Sequence, residues 1–169
     1  PVFGAAGFAP KKVNVPDLRP NYQYKPLFSN DFTNPAWQWN HIPNKALVKL
    51  EADTFTVKTD KVCKNIVQAA NTLTQRTFTE HCAGSVEIDA SKLNDWDIAG
   101  LCALEGEYGF IGITKKDGKY KLITAEHKIP YTQWSMGVFD DEEPVITSEK
   151  KLSSPKLKLK STFNLEHAK

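Results

Sequence analysis

Arginine is almost missing from this chain. Of its 22 basic residues only Arg19 and Arg76 are arginine, and the rest are lysine. Nucleic-acid sites concentrate arginine, whose planar fork reads base edges and clamps phosphates. The net charge of +2 adds no strong electrostatic field. No nucleic-acid partner is therefore expected. Long apolar runs are missing too. None approaches the roughly 20 residues that span a bilayer as a helix, and no membrane partner is expected. Cysteine is scarce, odd in number and widely spaced, at Cys63, Cys82 and Cys102. That pattern is not a disulfide framework. There is no C-x-x-C, and His41, His81, His127 and His167 are scattered, so no zinc site is spelled out. The cysteines read as small buried hydrophobes. Methionine occurs once, at Met136, and the first residue is Pro1. The 169 residues read as a piece of something longer.

Motifs for independent catalysis are lacking as well. There is no G-x-S-x-G, no phosphate loop, no dinucleotide fingerprint and no H-E-x-x-H. Asp95 and Asp97 flank Trp96. A glycosidase needs two carboxylates held at a defined distance across the scissile bond. A local pair of this kind is more often a turn former or a calcium ligand. The run Asp140-Asp141-Glu142-Glu143 precedes Pro144 and reads as a solvated loop. No catalytic residue is assigned.

What the chain does have is proline at one end and alternation after it. Pro10, Pro16, Pro20 and Pro26 recur every four to six residues. Proline at this density excludes a helix and removes ladder donors from a central strand. Residues 1–27 are expected to form an extended connecting arm. From Phe28 to Lys169 the pattern is that of strands. Val48 and Leu50, Phe55 and Val57, and Val86 and Ile88 recur at period two. In Lys156-Leu157-Lys158-Leu159-Lys160-Ser161-Thr162-Phe163 the apolar residues fall on one face and the lysines on the other. That predicts a half-buried strand with an edge protected by charge. The stretches 97–104 and 108–114 are more continuously apolar, as interior strands can be. Glu105-Gly106 is expected to turn the chain between them. Asp117-Gly118 predicts a type I′ hairpin, because glycine accepts positive φ. Residues 62–74 come nearest to helical spacing, but β-branched residues and Asn71-Thr72 argue against a helix. The fold class expected is all-β, an antiparallel two-sheet sandwich.

The aromatics suggest a surface. Trp37-Gln38-Trp39-Asn40-His41 places two indoles at period two beside amide and imidazole groups. Sugar recognition uses that chemistry, a flat apolar face for a pyranose ring and planar polar groups for its hydroxyls. Two tryptophans on one face of an inward-facing strand are more often core than platform.

Several strings in order resemble a known family. They are Phe28-Ser29-Asn30-Asp31-Phe32, then Trp37-Gln38-Trp39-Asn40-His41-Ile42-Pro43, then Ala70-Asn71-Thr72-Leu73-Thr74-Gln75-Arg76, then Asp97-Ile98-Ala99-Gly100-Leu101 and Tyr108-Gly109-Phe110-Ile111-Gly112. Together they resemble the C-terminal concanavalin A-like β-sandwich of family 43 glycoside hydrolases, the β-xylosidase and α-arabinofuranosidase group. The resemblance implies a jelly-roll sandwich that follows a catalytic β-propeller and packs on it. It implies a non-catalytic module that binds xylan-type polysaccharide or oligosaccharide, or shapes the active site, of a parent hydrolase. The residues it points to for ligand or inter-domain contact are Trp37, Trp39, Asn40, His41, Gln75 and Arg76. Two other roles are open, a purely structural sandwich that stabilises the propeller or an oligomer interface, and a lectin-like adhesion module. No cofactor is implied. Sandwiches of this kind sometimes carry a structural calcium, for which Asp31 and Asp97 are the candidate ligands. A polymer substrate favours an extracellular or periplasmic location.

The chain also departs from that family. Ile42-Pro43 follows His41 where the family has Asn-Pro, and Ala69-Ala70-Asn71 lacks the family's arginine. The family continues past the strand at 156–163 with a hairpin and a glycine-rich closing strand. The sandwich is therefore expected to be truncated at its C-terminus, with exposed ladder groups and an apolar strip, and to be either marginal alone or completed by other chain segments.

Overall fold

A computed structural model describes residues 29–77, 80–105, 107–128 and 142–164. The proline-rich arm at 1–27 and the acidic residues Asp140 and Asp141 lie outside the described residues. In chain order the strands are β1 (Gln38–Trp39), β2 (Val48–Leu50), β3 (Phe55–Val57), β4 (Leu73–Thr74) and β5 (His81–Asp89), followed by β6 (Ile98–Glu105), β7 (Glu107–Lys116), β8 (Lys119–His127), β9 (Val145–Lys151) and β10 (Lys156–Asn164). Every pairing is antiparallel. The all-β expectation holds. Among the described residues the helical segments are two 3₁₀ turns, at Lys45–Leu47 and Ile66–Gln68. The second falls in the stretch that came nearest to helical spacing. Asn65 caps it by accepting from the Gln68 amide at 3.1 Å, and the chain is extended again by Leu73.

The central sheet has the order β6-β7-β8-β9. Ile113 pairs with Leu122, and the next pair along is Gly112 with Ile123. Neighbouring pairs point to opposite faces. Ile113 is 0% exposed and Ile123 only 3%, so the middle of this sheet is covered on both sides. That explains the continuously apolar sequence of β7, where alternation would leave one face polar. The β5–β10 ribbon covers the Ile113 face. A Cβ placed on Gly84 of β5 would touch the Leu101 side chain at 3.8 Å, and Leu101 pairs with Ile111 on that face.

The ribbon follows the alternation of its sequence. Leu157 pairs with Ile88 and Leu159 with Val86, on the inner face. Lys156 and Lys158 point outward and meet Asp89 and Glu87, each at 3.0 Å. Lys156 and Lys158 thus face acidic partners across the ladder at one end of β5, while Lys160 faces Ser85. Ser91 donates its amide to Asp89 at 3.0 Å. The Ser91 donors and Lys156 hold the Asp89 carboxyl at about 2, below its ordinary 3.8. A carboxyl depressed on folding contributes stability above its unfolded pKa and loses it as pH falls through the folded one. The difference in urea midpoint between wild type and Asp89→Asn is expected to be constant above about pH 5 and to be lost as pH falls through about 2. A difference that persisted unchanged at pH 2 would contradict this assignment.

The β7–β8 hairpin turns at Asp117 (φ 52°) and Gly118 (φ 72°), the type I′ geometry expected. β9 is a finding that alternation did not reveal. All seven of its residues are exposed, so no face of it carries a core pattern. It joins the sheet edge with a bulge at Thr147, whose hydroxyl meets that of Thr124 at 2.8 Å.

Candidate functional site

The site residues expected from sequence fall in two stretches, 37–41 and 75–76. The short β1–β4 ladder brings these together. Gln38 pairs with Thr74 and Trp39 with Leu73, and the Asn40 amide donates to the Thr72 carbonyl at 3.0 Å. Gln75 and Arg76 follow directly on β4.

Packing then decides what each side chain is free to do. Trp37 and Trp39 are half-buried. The Trp37 ring lies 5.0 Å from Phe32, and Trp39 meets Phe55 edge-on at 6.1 Å. Phe32 and Phe55 are 6.0 Å apart, which closes a four-ring cluster. The indole Nε1 of Trp37 is buried and meets no acceptor among the described residues. Gln75 grips the chain where the described residues begin. It accepts from the Ser29 amide at 3.1 Å and donates to the Ser29 carbonyl at 2.6 Å, as a neighbouring strand would. The exposed His41 ring uses Nε2 on the Val67 carbonyl. Arg76 is exposed and forms no ion pair among the described residues. Among the described residues neither the Arg76 guanidinium nor the Asn40 side-chain amide makes a hydrogen bond, and of the two only Arg76 is exposed.

The other candidate groups resolve into turn chemistry. Asp31 accepts from the Thr33 amide at 2.8 Å and its hydroxyl at 2.6 Å, which lowers the Asp31 carboxyl pKa. Asp97 accepts from the amide and side chain of Asn94 at 3.3 and 3.1 Å, and from Thr59 at 3.4 Å. Asp31 and Asp97 each serve their own turn. Among the described residues no three His, Cys, Asp or Glu side chains gather as a metal site. Cys102 lies in β6, and burial pushes its thiol up to about 12. It stays protonated at neutral pH and is a poor nucleophile.

At the far end of the sheet the 62–72 loop is tied down. The Ile66 amide donates to the Tyr108 hydroxyl at 3.4 Å, and Asn65 donates to the Glu142 carbonyl at 3.1 Å. Tyr108 stacks on the buried His127 ring, 5.1 Å between centroids and 8° between planes.

Trp96 belongs to no motif and stands in the sequence as the spacer between two aspartates. Trp96 is 66% exposed and adopts φ 74°. A non-glycine residue in the left-handed region costs roughly 1–2 kcal/mol. Its amide donates to the Lys115 carbonyl at 2.7 Å, and the Lys116 ammonium stands 4.6 Å from the ring centroid. The one hint in the sequence is the Asn94-Asp95 pair before it, because such residues favour turns.

Comparison with known proteins agrees with this architecture. Residues 26–164 match the family described as beta xylosidase C-terminal concanavalin A-like domain. Among solved structures, a bifunctional GH43-CE protein of Bacteroides eggerthii is similar. The two are 30% identical with a TM-score of 0.63, over 76% of this chain and 15% of that one. The present chain thus spans a small part of that protein's length. No curated protein matches the sequence.

Proposed function

This chain belongs to the C-terminal concanavalin A-like domain family of family 43 β-xylosidases, and from that premise we propose that it is a non-catalytic accessory module that binds a xylan-type chain beside a catalytic domain. The observation that carries this reading is the β1–β4 ladder. It pairs the aromatic stretch with the strand that leads into Gln75 and Arg76, more than thirty residues away in the chain. The half-buried indoles supply a flat apolar surface and the exposed Arg76 supplies donors for sugar hydroxyls. The Asp95 and Asp97 carboxylates are engaged in loop hydrogen bonds, which supports a role without acid–base chemistry.

A second reading is favoured by Gln75 and His41. Both spend polar atoms on backbone groups of the module itself. On that reading the ladder is internal structure, and the module stabilises its catalytic neighbour without touching sugar.

Affinity electrophoresis in soluble arabinoxylan separates the two. The chain is expected to be retarded, and Arg76→Ala is expected to weaken retardation several-fold with an unchanged melting temperature. Arg76 suits this test because it is exposed and bears no packing. No retardation in any xylan would remove the binding reading and leave the structural one.

A further inference from the structure

We propose that Trp96 is a second glycan platform, a fixed aromatic surface on the β5–β6 loop that takes one pyranose ring of a polysaccharide. The inference goes beyond the ladder site, and it begins from a misfit. A large apolar ring is held two-thirds exposed, in a backbone conformation that favours glycine. Its one ring contact among the described residues is Lys116. Among the described residues no aromatic ring packs on it. A strained residue kept in place by its surroundings is a pointer to function.

Those surroundings are rigid. Asp95 accepts from the Gly118 amide at 3.2 and 3.3 Å, which ties the loop to the β7–β8 hairpin. The Thr114 hydroxyl donates to the Asp97 carbonyl at 2.9 Å, and Lys115 donates to the Leu93 carbonyl at 3.2 Å. The ring is therefore presented by a loop that is already ordered, so binding need not order it again. Lys116 stands over the ring, and the residue as a whole is two-thirds exposed, which leaves room for a ligand beside it.

The rim decides the kind of ligand. Lys116 stands at the ring, and the exposed Asn94 and Asp95 precede Trp96 in the same loop, so donors and acceptors lie close by along the chain. Ile98 is the apolar neighbour in the chain, 50% exposed. A stable protein interface needs roughly 800 Å² per partner with an apolar centre. One indole and one isoleucine inside a charged rim do not make that centre. A sugar needs no more than this, since its C–H face stacks on the ring and its hydroxyls meet the rim.

The test uses the 169-residue chain in native gels with soluble arabinoxylan. Trp96→Gly and Trp96→Tyr are compared with wild type, alongside melting temperature and sedimentation velocity. Trp96→Gly relieves the positive φ, so its melting temperature is expected to be equal or higher. Its apparent affinity is expected to fall at least fivefold, while Trp96→Tyr keeps most of it. A more stable but weaker-binding variant cannot be explained by a structural role. If Trp96→Gly binds like wild type while Arg76→Ala does not, this proposal fails and the ladder site stands. If wild type is not retarded at all, both fall. If wild type self-associates and Trp96→Gly does not, the ring is a protein contact and the proposal is overturned.

Discussion

Ile113→Ala is expected to lower the unfolding free energy by about 2–5 kcal/mol, the range for deleting buried methylenes and leaving a cavity. Ile113 is the large side chain with no exposed surface. It sits on a middle strand, paired with Ala99 on one side and Leu122 on the other. Across from it lies the β5–β10 ribbon, so neighbouring strands hold the walls apart and collapse into the cavity is restricted. Domains are stable by only about 5–15 kcal/mol, so this one change would remove a large share. Urea unfolding followed by fluorescence measures it. Ile98→Ala on the adjacent strand is the control, because Ile98 is 50% exposed and its loss should cost far less. Equal effects at the two positions would refute the placement of the core.

Gly112→Ala is expected to be comparably damaging for the opposite reason. A Cβ at residue 112 would stand 2.3 Å from Phe110 Cζ and 2.5 Å from the Ala99 carbonyl oxygen. Its cross-strand partner Gly100 is equally closed, with the Ile111 oxygen at 2.2 Å and Phe110 Cζ at 2.6 Å. The Phe110 ring therefore lies over a facing pair of glycines and fills the space that two side chains would take. The ring could swing away, but the carbonyl belongs to the ladder and cannot. Overpacking of this kind costs about 1–3 kcal/mol, and more where backbone must move. Adding Phe110→Leu should recover only part of the loss, because the carbonyl contact remains. Gly109→Ala on the same strand meets nothing within 4 Å and should be nearly neutral. Full recovery in the double variant would show that the ring alone sets the limit.

The parts of the fold legible in the sequence are those whose physics is local. The lysine–leucine alternation of β10 states its own period, and its two faces differ because one meets Val86 and Ile88 while the other meets water and acids. Asp117-Gly118 states its turn because positive φ is a property of those two residues. The continuous apolar run of β7 states burial on both faces, whereas the similar run of β6 belongs to a strand at the end of the sheet whose Ile98 is 50% exposed. β9 was not legible, since a strand exposed along its whole length has no alternation to read. The aromatic string at 37–41 was legible as chemistry but not as packing. That Trp37 and Trp39 would meet Phe32 and Phe55 depends on where four separate segments end up.

By itself, then, the sequence determined the class of this protein. Period-two patterning and turn residues act over a few positions, and with the ordered motifs they specify an antiparallel sandwich of the family 43 C-terminal type. Tertiary structure alone decided which strand pairs with which, why Gly100 and Gly112 must lack side chains, that Gln75 holds Ser29, and that Trp96 stands in solvent at positive φ. The physical reason is distance along the chain. Lys156 pairs with Asp89 and Gln38 with Thr74, and contacts between residues so far apart arise only when the whole chain has packed.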